Sequence, residues 1–172
     1  GIDGNAKMSK SLNNCIYLSD SKKEVKKKVM SMFTDPNHIS ISDPGKVEGN
    51  SVFTYLDAFC EDYHFEKFLP EYKNLDELKA HYRRGGLGDV KIKKFLNKVL
   101  EDFLEPIREK RAYYAKDISK LFEIMENGSK EASAYGKMKL EQVKEAMGIN
   151  YFDDKKLISE LQKKYDKEYE NK

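Results

Sequence analysis

The stretch KIKKFLNKVLEDFLEPI, residues 91–107, decides the fold class. Its apolar residues Ile92, Phe95, Leu96, Val99, Leu100, Phe103, Leu104 and Ile107 recur at the spacing that stacks side chains on one face of an α-helix. Such a continuous stripe is a core face and calls for partners to cover it. The turn Gly85-Gly86-Leu87-Gly88 leads into it, and Pro106 lies within it. Proline removes one backbone donor and crowds the preceding turn, which predicts a kink there rather than a stop. Tyr114, Ile118, Leu121, Phe122 and Met125 carry the pattern onward to a break at Asn127-Gly128, and a further helix is predicted over 129–147.

Working outward, more helices appear. Ser21-Lys22-Lys23-Glu24 has the capping-box pattern, and Val25, Val29, Met32 and Phe33 follow at helical spacing. Asn50 can cap a helix whose Phe53, Leu56 and Cys60 share a face, and Asn74 one that buries Leu75, Leu78 and Tyr82. Asp35-Pro36 and Asp43-Pro44-Gly45 mark the loop between the first two. The only strand candidate is Cys15-Ile16-Tyr17-Leu18, and nothing alternates as a parallel α/β sheet requires. The class is therefore all-α, ending in a polar helical tail with Leu157, Ile158, Leu161 and Tyr165 as its apolar line.

Charged residues make up 36% of the 172 residues, which reads as a solvated protein, and no apolar run approaches a membrane span. Cys15 and Cys60 form no CxxC pair, and His38, His64 and His81 lack metal-ligand spacing, so reduced thiols, a cytoplasmic location and no metal site are expected. The near balance of charge hides segregation. Residues 1–34 carry net +4, residues 48–78 net −6 and residues 79–116 net +6. Two basic clusters stand out, Lys22, Lys23, Lys26, Lys27 and Lys28, and then Arg83, Arg84, Lys91, Lys93, Lys94 and Lys98. Each alone reads as a solvated helix face. A second reading is contact with a nucleic-acid backbone, because a glycine turn opens the second cluster onto a helix N-terminus that favours phosphate.

The segment GNAKMSKSLNN, residues 4–14, carries the chemistry. Lys7 and Lys10 stand three apart between the hydroxyls of Ser9 and Ser11, framed by Gly4 and Asn13-Asn14. Ammonium groups neutralise phosphate charge while hydroxyls and amides donate hydrogen bonds, so the composition suits a mobile loop folding over a polyphosphate. Generic lysine-serine linkers share these residues. Asparagine at position 13 tolerates left-handed backbone angles better than other residues with a side chain.

As a whole the loop resembles the KMSKS signature of class I aminoacyl-tRNA synthetases. Asp35-Pro36-Asn37-His38, the run at 43–50 (DPGKVEGN), the run at 52–59 (VFTYLDAF), HYRRGGLGDVK at 81–91 and LEPIREKR at 104–111 follow in order and are similar to the bacterial tryptophanyl-tRNA synthetases. The resemblance spans about residues 1–152. It implies ATP-dependent activation of tryptophan and transfer to tRNA(Trp), with Mg2+ accompanying ATP and a homodimeric enzyme. By the same resemblance Lys7, Met8, Ser9, Lys10 and Ser11 bind ATP, with Lys10 and Lys7 catalytic at the phosphates and Met8 near adenine.

The expected architecture is a helical bundle of anticodon-binding type behind a KMSKS loop, without the Rossmann catalytic domain. Its divisions are 1–20 for the loop, 21–127 for the anticodon-binding helices, 128–152 for a helix packing back on the catalytic domain and 153–172 for the tail. Arg83, Arg84, Lys91 and Lys94 are the candidate tRNA contacts, and Asp89 is a helix-start residue. Gly1 opens the chain in a polar loop with no initiator Met, and the expectation is a piece of something longer, inactive alone, with an apolar face on 129–147 that favours self-association. A non-enzymatic helical nucleic-acid-binding module, a structural bundle and a tyrosyl-tRNA synthetase fragment are the competing readings.

Overall fold

Every helix whose start the sequence marks with a cap begins at that cap. The computed structural model describes residues 1–152 and 154–170; Asp153, Asn171 and Lys172, part of the predicted tail, lie outside the described residues. Ser21 Oγ accepts from the Glu24 amide and the Glu24 carboxylate accepts from the Ser21 amide, opening α1 (Lys22–Met30). Asn50 Oδ1 takes the Val52 amide at 3.0 Å for α2 (Ser51–Phe59). Asn74 Oδ1 takes the Glu77 amide at 3.0 Å for α4 (Leu75–Arg84). Between them lies α3 (Asp62–Phe68), which the sequence did not announce. Its N-cap is Glu61, whose amide donates to His64 Nδ1 at 2.8 Å. The remaining helices are α5 (Asp89–Tyr114), α6 (Ile118–Met147) and α7 (Lys155–Glu170). No strand occurs among the described residues, and 15–18 is irregular, with the Tyr17 amide turned onto Asp20 Oδ2 at 2.9 Å.

The chain divides into two compact units, Gly1–Tyr113 and Tyr114–Lys172. In the first, the α5 stripe is the spine of the core. Ile92, Phe95, Leu96, Val99, Leu100 and Leu104 are buried together with Val25 and Val29 of α1, Phe53 and Leu56 of α2, Phe65 of α3 and Tyr82 of α4. Each large side chain so buried contributes about 1.5–3 kcal/mol. Phe103 departs from the stripe and stays half exposed against Phe59, ring centroids 5.1 Å apart. Pro106 lies inside α5, which continues past it to Tyr114. Asp89, in the first turn of α5, gathers three donors: Thr34 Oγ1 at 2.7 Å, Tyr82 Oη at 2.8 Å and His38 Nδ1 at 3.0 Å. Those bonds tie the 34–49 loop to α4 and α5, and Tyr82 in turn receives Asn50 Nδ2 at 3.3 Å.

The opening segment does not stand apart from these helices. Ile2 belongs to the same core, its carbonyl accepts the Phe33 amide at 2.8 Å, and Gly4 lies against the Phe33 ring where a Cβ would come within 2.5 Å.

The second unit holds α6 and α7. The expected break at Asn127-Gly128 is absent: α6 runs unbroken through both residues from its Asp117 cap to the left-handed Gly148. One glycine costs a long helix only about 1 kcal/mol, too little to end it. No residue of α6 or α7 is buried.

Candidate functional site

The loop 4–14 is folded by its own polar side chains. Asn14, only 4% exposed, uses Oδ1 to accept the Ser9 amide at 2.8 Å and Nδ2 to donate to Asp3 Oδ2 at 3.0 Å and to the Lys7 carbonyl at 3.4 Å. Asp3 caps the chain on its other side by accepting the Asn5 and Ala6 amides. The hydrogen bond from Asn14, with those amides, holds the Asp3 carboxyl below its ordinary range. Asn13 adopts φ 49°, the left-handed turn its type tolerates, and its amide donates to the Lys10 carbonyl at 3.2 Å. The hydroxyls of Ser9 and Ser11 meet at 2.8 Å. Met8 is reached from α2, where Tyr55 Oη donates to its sulfur at 3.3 Å.

Lys7 and Lys10 both project to solvent, and neither ammonium meets a carboxylate among the described residues. A loop fixed at its backbone with two unneutralised cations at its rim can receive an anionic ligand. Beside it lies a cleft of about 330 Å³ lined by Gly4, Asn5, Met8, Ser51 and Tyr55. The five candidates at 7–11 are thus brought together by contiguity and by the latch at Asn14. Sequence reading placed Asn14 in the frame, but the partners Asp3 and Tyr55 carried no signal of their own.

The second set fares differently. Arg83 is bound by Glu48 at 2.7 Å and Lys91 by Glu71 at 2.9 Å, while Lys79 pairs with Asp57. The acidic stretch 48–78 thereby folds against the basic stretch that follows it, which accounts for the segregation seen along the chain. Arg84 and Lys94 are exposed, and neither has a carboxylate partner among the described residues. Lys91 and Lys94 line a cleft of about 550 Å³ with His38, Ser40 and Gly86. His81, hydrogen-bonded at Nδ1 to Tyr72 Oη at 2.7 Å, is held below its ordinary value by burial and then by Arg84 and Lys91, which favours the neutral ring. Cys15 and Cys60 are both free thiols; burial, then Asp62 and Glu61, pushes Cys60 up to about 12 and leaves it protonated. Among the described residues no three His, Cys, Asp or Glu side chains converge on a point that could hold a metal, and no helix is long and apolar enough to cross a membrane.

The chain is similar to known proteins over most of its length. Residues 1–105 match the family model of tRNA synthetases class I (W and Y). A tryptophan–tRNA ligase of Clostridium longisporum is 53% identical over 154 residues, which is 90% of this chain and 42% of that protein. One from Streptococcus pyogenes serotype M1 is 53% identical over 152 residues, 88% of this chain and 43% of that protein. The chain thus spans about two fifths of the length of the curated relatives it matches. Among solved structures, the tryptophanyl-tRNA synthetase of Campylobacter jejuni superposes with TM-score 0.63 at 28% identity, over 86% of this chain and 44% of that one. The same enzyme complexed with ADP and tryptophan gives the same score over 42% of its chain.

These matches correct the assignment of an all-α bundle of anticodon-binding type. The matched family is that of the class I synthetase catalytic domain, and it runs from the loop through α4 and most of α5. Helix content and basic faces suggested a separate module, but the packing of Ile2 and Phe33 into the same unit as α1–α5 leaves no seam at which to separate one.

Proposed function

The chain belongs to the tRNA synthetases class I (W and Y), and from that premise we propose that it serves an ATP-dependent tryptophan–tRNA ligase, supplying the loop that handles the ATP phosphates. The observation that carries this is the loop itself: Lys7 and Lys10 stand clear of every carboxylate among the described residues on a backbone pinned by Asn14. Tryptophan is favoured over tyrosine by relatives named tryptophan–tRNA ligase at 53% identity.

In the reaction the tryptophan carboxylate attacks the α-phosphorus of ATP, the bond to the β-phosphate oxygen breaks, and tryptophanyl-adenylate and pyrophosphate result. The aminoacyl group then passes to the acceptor end of tRNA(Trp), releasing AMP. Lys10 neutralises charge growing on the departing pyrophosphate, and Lys7 the charge already on the phosphates. Ser9 and Ser11 offer hydroxyl hydrogen bonds, and Met8 packs near adenine. Closure of residues 7–11 couples ATP binding to chemistry. Among the described residues no three His, Cys, Asp or Glu side chains are placed to hold a metal ion, and Mg2+ would be held through the phosphate oxygens of ATP. Arg84 and Lys94 are the first tRNA contacts to test, with Arg83 and Lys91 available once their carboxylate partners yield. The enzyme acts in the cytoplasm as a homodimer.

The chain by itself brings no nucleotide-binding sheet among its described residues, and it is expected to be inactive alone. Tryptophan-dependent exchange of labelled pyrophosphate into ATP checks both points. Exchange by this chain alone overturns its supporting role. In the active enzyme, Lys10→Ala lowers the exchange rate about a hundredfold or more, and an unchanged rate removes the catalytic assignment.

A further inference from the structure

We infer that Asn14 is a positioning residue: its buried carboxamide folds residues 7–11 into the shape that presents Lys7 and Lys10 to a polyphosphate. This rests on the phosphate reading of the loop and adds to it the device that prepares the loop before any ligand arrives.

The observation is that one side chain meets three separate parts of the loop. Oδ1 receives the Ser9 amide at 2.8 Å, and Nδ2 reaches Asp3 Oδ2 at 3.0 Å and the Lys7 carbonyl at 3.4 Å. The orientation of the amide follows from its neighbours. Turned over, it would set NH2 against an N–H and oxygen against a carboxylate, so only one placement pairs every group. The backbone of Asn14 is itself anchored, its carbonyl taking the Ile2 amide at 2.9 Å, and Ile2 is part of the core. The latch therefore connects the core residue Ile2 to the backbone of Lys7 and Ser9.

An exposed loop orders its backbone at an entropic cost of about 1–2 kcal/mol per residue. A ligand that finds the loop already folded avoids that loss, and affinity rises accordingly. Every bond of the Asn14 side chain goes to residues 3–9 and none to α1–α5, so its loss loosens the loop and leaves the helices standing.

Two variants of unchanged net charge test this in the full chain. Asn14→Ala removes the latch. The double substitution Asp3→Asn with Asn14→Asp exchanges the two groups: the carboxylate at position 14 accepts from the Ser9 amide and from the new carboxamide at position 3, and only the long 3.4 Å bond to the Lys7 carbonyl is not replaced. Both variants keep the net charge, so general attraction of anions is unaltered. Inorganic tripolyphosphate is the probe, followed by calorimetry, with exchange of the Ser9 amide proton read by NMR. Asn14→Ala should weaken binding about tenfold and speed Ser9 exchange by at least as much, and the swap should bring both back to within about threefold of the parent. Unchanged binding in Asn14→Ala, or no recovery in the swap, overturns the inference.

Lys7→Ala with Lys10→Ala tests the underlying phosphate reading separately. If that pair binds tripolyphosphate like the parent, the phosphate reading falls and the presentation role falls with it, whatever Ser9 shows. If the lysine pair weakens binding and Asn14→Ala does not, the reading stands and the positioning role alone is lost.

Discussion

The two units of this chain are built from similar helices and hold them by different means. In Gly1–Tyr113 the helices bury Val25, Phe53, Leu56, Tyr82 and Leu96 to below one per cent exposure. In Tyr114–Lys172 the longest helix of all, α6, buries nothing, and Phe122, Met138 and Met147 lie 47–66% exposed. Length and apolar patterning make a helix; an inward face covered by neighbours makes a core. The first unit has both, and the second has only the pattern.

The contrast breaks most directly at matched aromatic residues. Phe53→Ala should remove about 3–5 kcal/mol from the urea stability of the first unit, whereas Phe122→Ala in α6 should change helix melting by under about 0.5 kcal/mol. Equal effects would mean that α6 carries a core of its own. Glycines give the next largest difference. Gly85 lies at φ 87° with the Ser42 carbonyl 2.3 Å from where a Cβ would stand, so Gly85→Ala should cost about 2 kcal/mol or more. Gly128 has nothing within 4 Å, and Gly128→Ala should raise the helicity of α6, stabilising it by about 0.5–1 kcal/mol by circular dichroism.

Within the first unit, Asn50 joins the α2 cap to the Tyr82–Asp89 knot. Asn50→Ala is expected to lower thermal stability by about 1–2 kcal/mol, while Asn74→Ala, a cap without that second bond, loses less. The smallest effect is in acid. Folding keeps His81 below its ordinary 6.5 through burial, Arg84 and Lys91, so the unfolded chain takes up the proton first. Stability from this group is complete above the ordinary value and is lost as pH falls through the folded one. The first unit should therefore weaken as pH falls below about 6.5, and His81→Gln should flatten that slope. A slope unaltered in the variant assigns the acid sensitivity elsewhere.

Much of the first unit was legible because its signals are local. The α5 stripe, the capping box at Ser21-Glu24 and the asparagine caps at 50 and 74 need no knowledge of the rest of the chain, and each marks what the fold contains. α3 was missed because its seven residues, DYHFEKF, show too short an apolar period and its N-cap, Glu61, is not one of the usual capping types. The Asn127-Gly128 pair was overread, since a thirty-residue helix absorbs the loss from one glycine. For the site, Lys7, Ser9, Lys10 and Ser11 could be named from spacing. That Arg83 and Lys91 are held by Glu48 and Glu71 could not, because those partners lie 35 and 20 residues away.

The amino-acid order alone therefore determined the helical class, most helix starts and the cation-and-hydroxyl chemistry of residues 7–11. Only tertiary structure decided which apolar faces are covered, which basic side chains are neutralised, and that the loop is latched by Asn14 to the same unit as the helices. The division has a physical cause. Propensity, capping and periodicity act over a few residues, whereas burial and ion pairing depend on which distant segments the chain brings into contact.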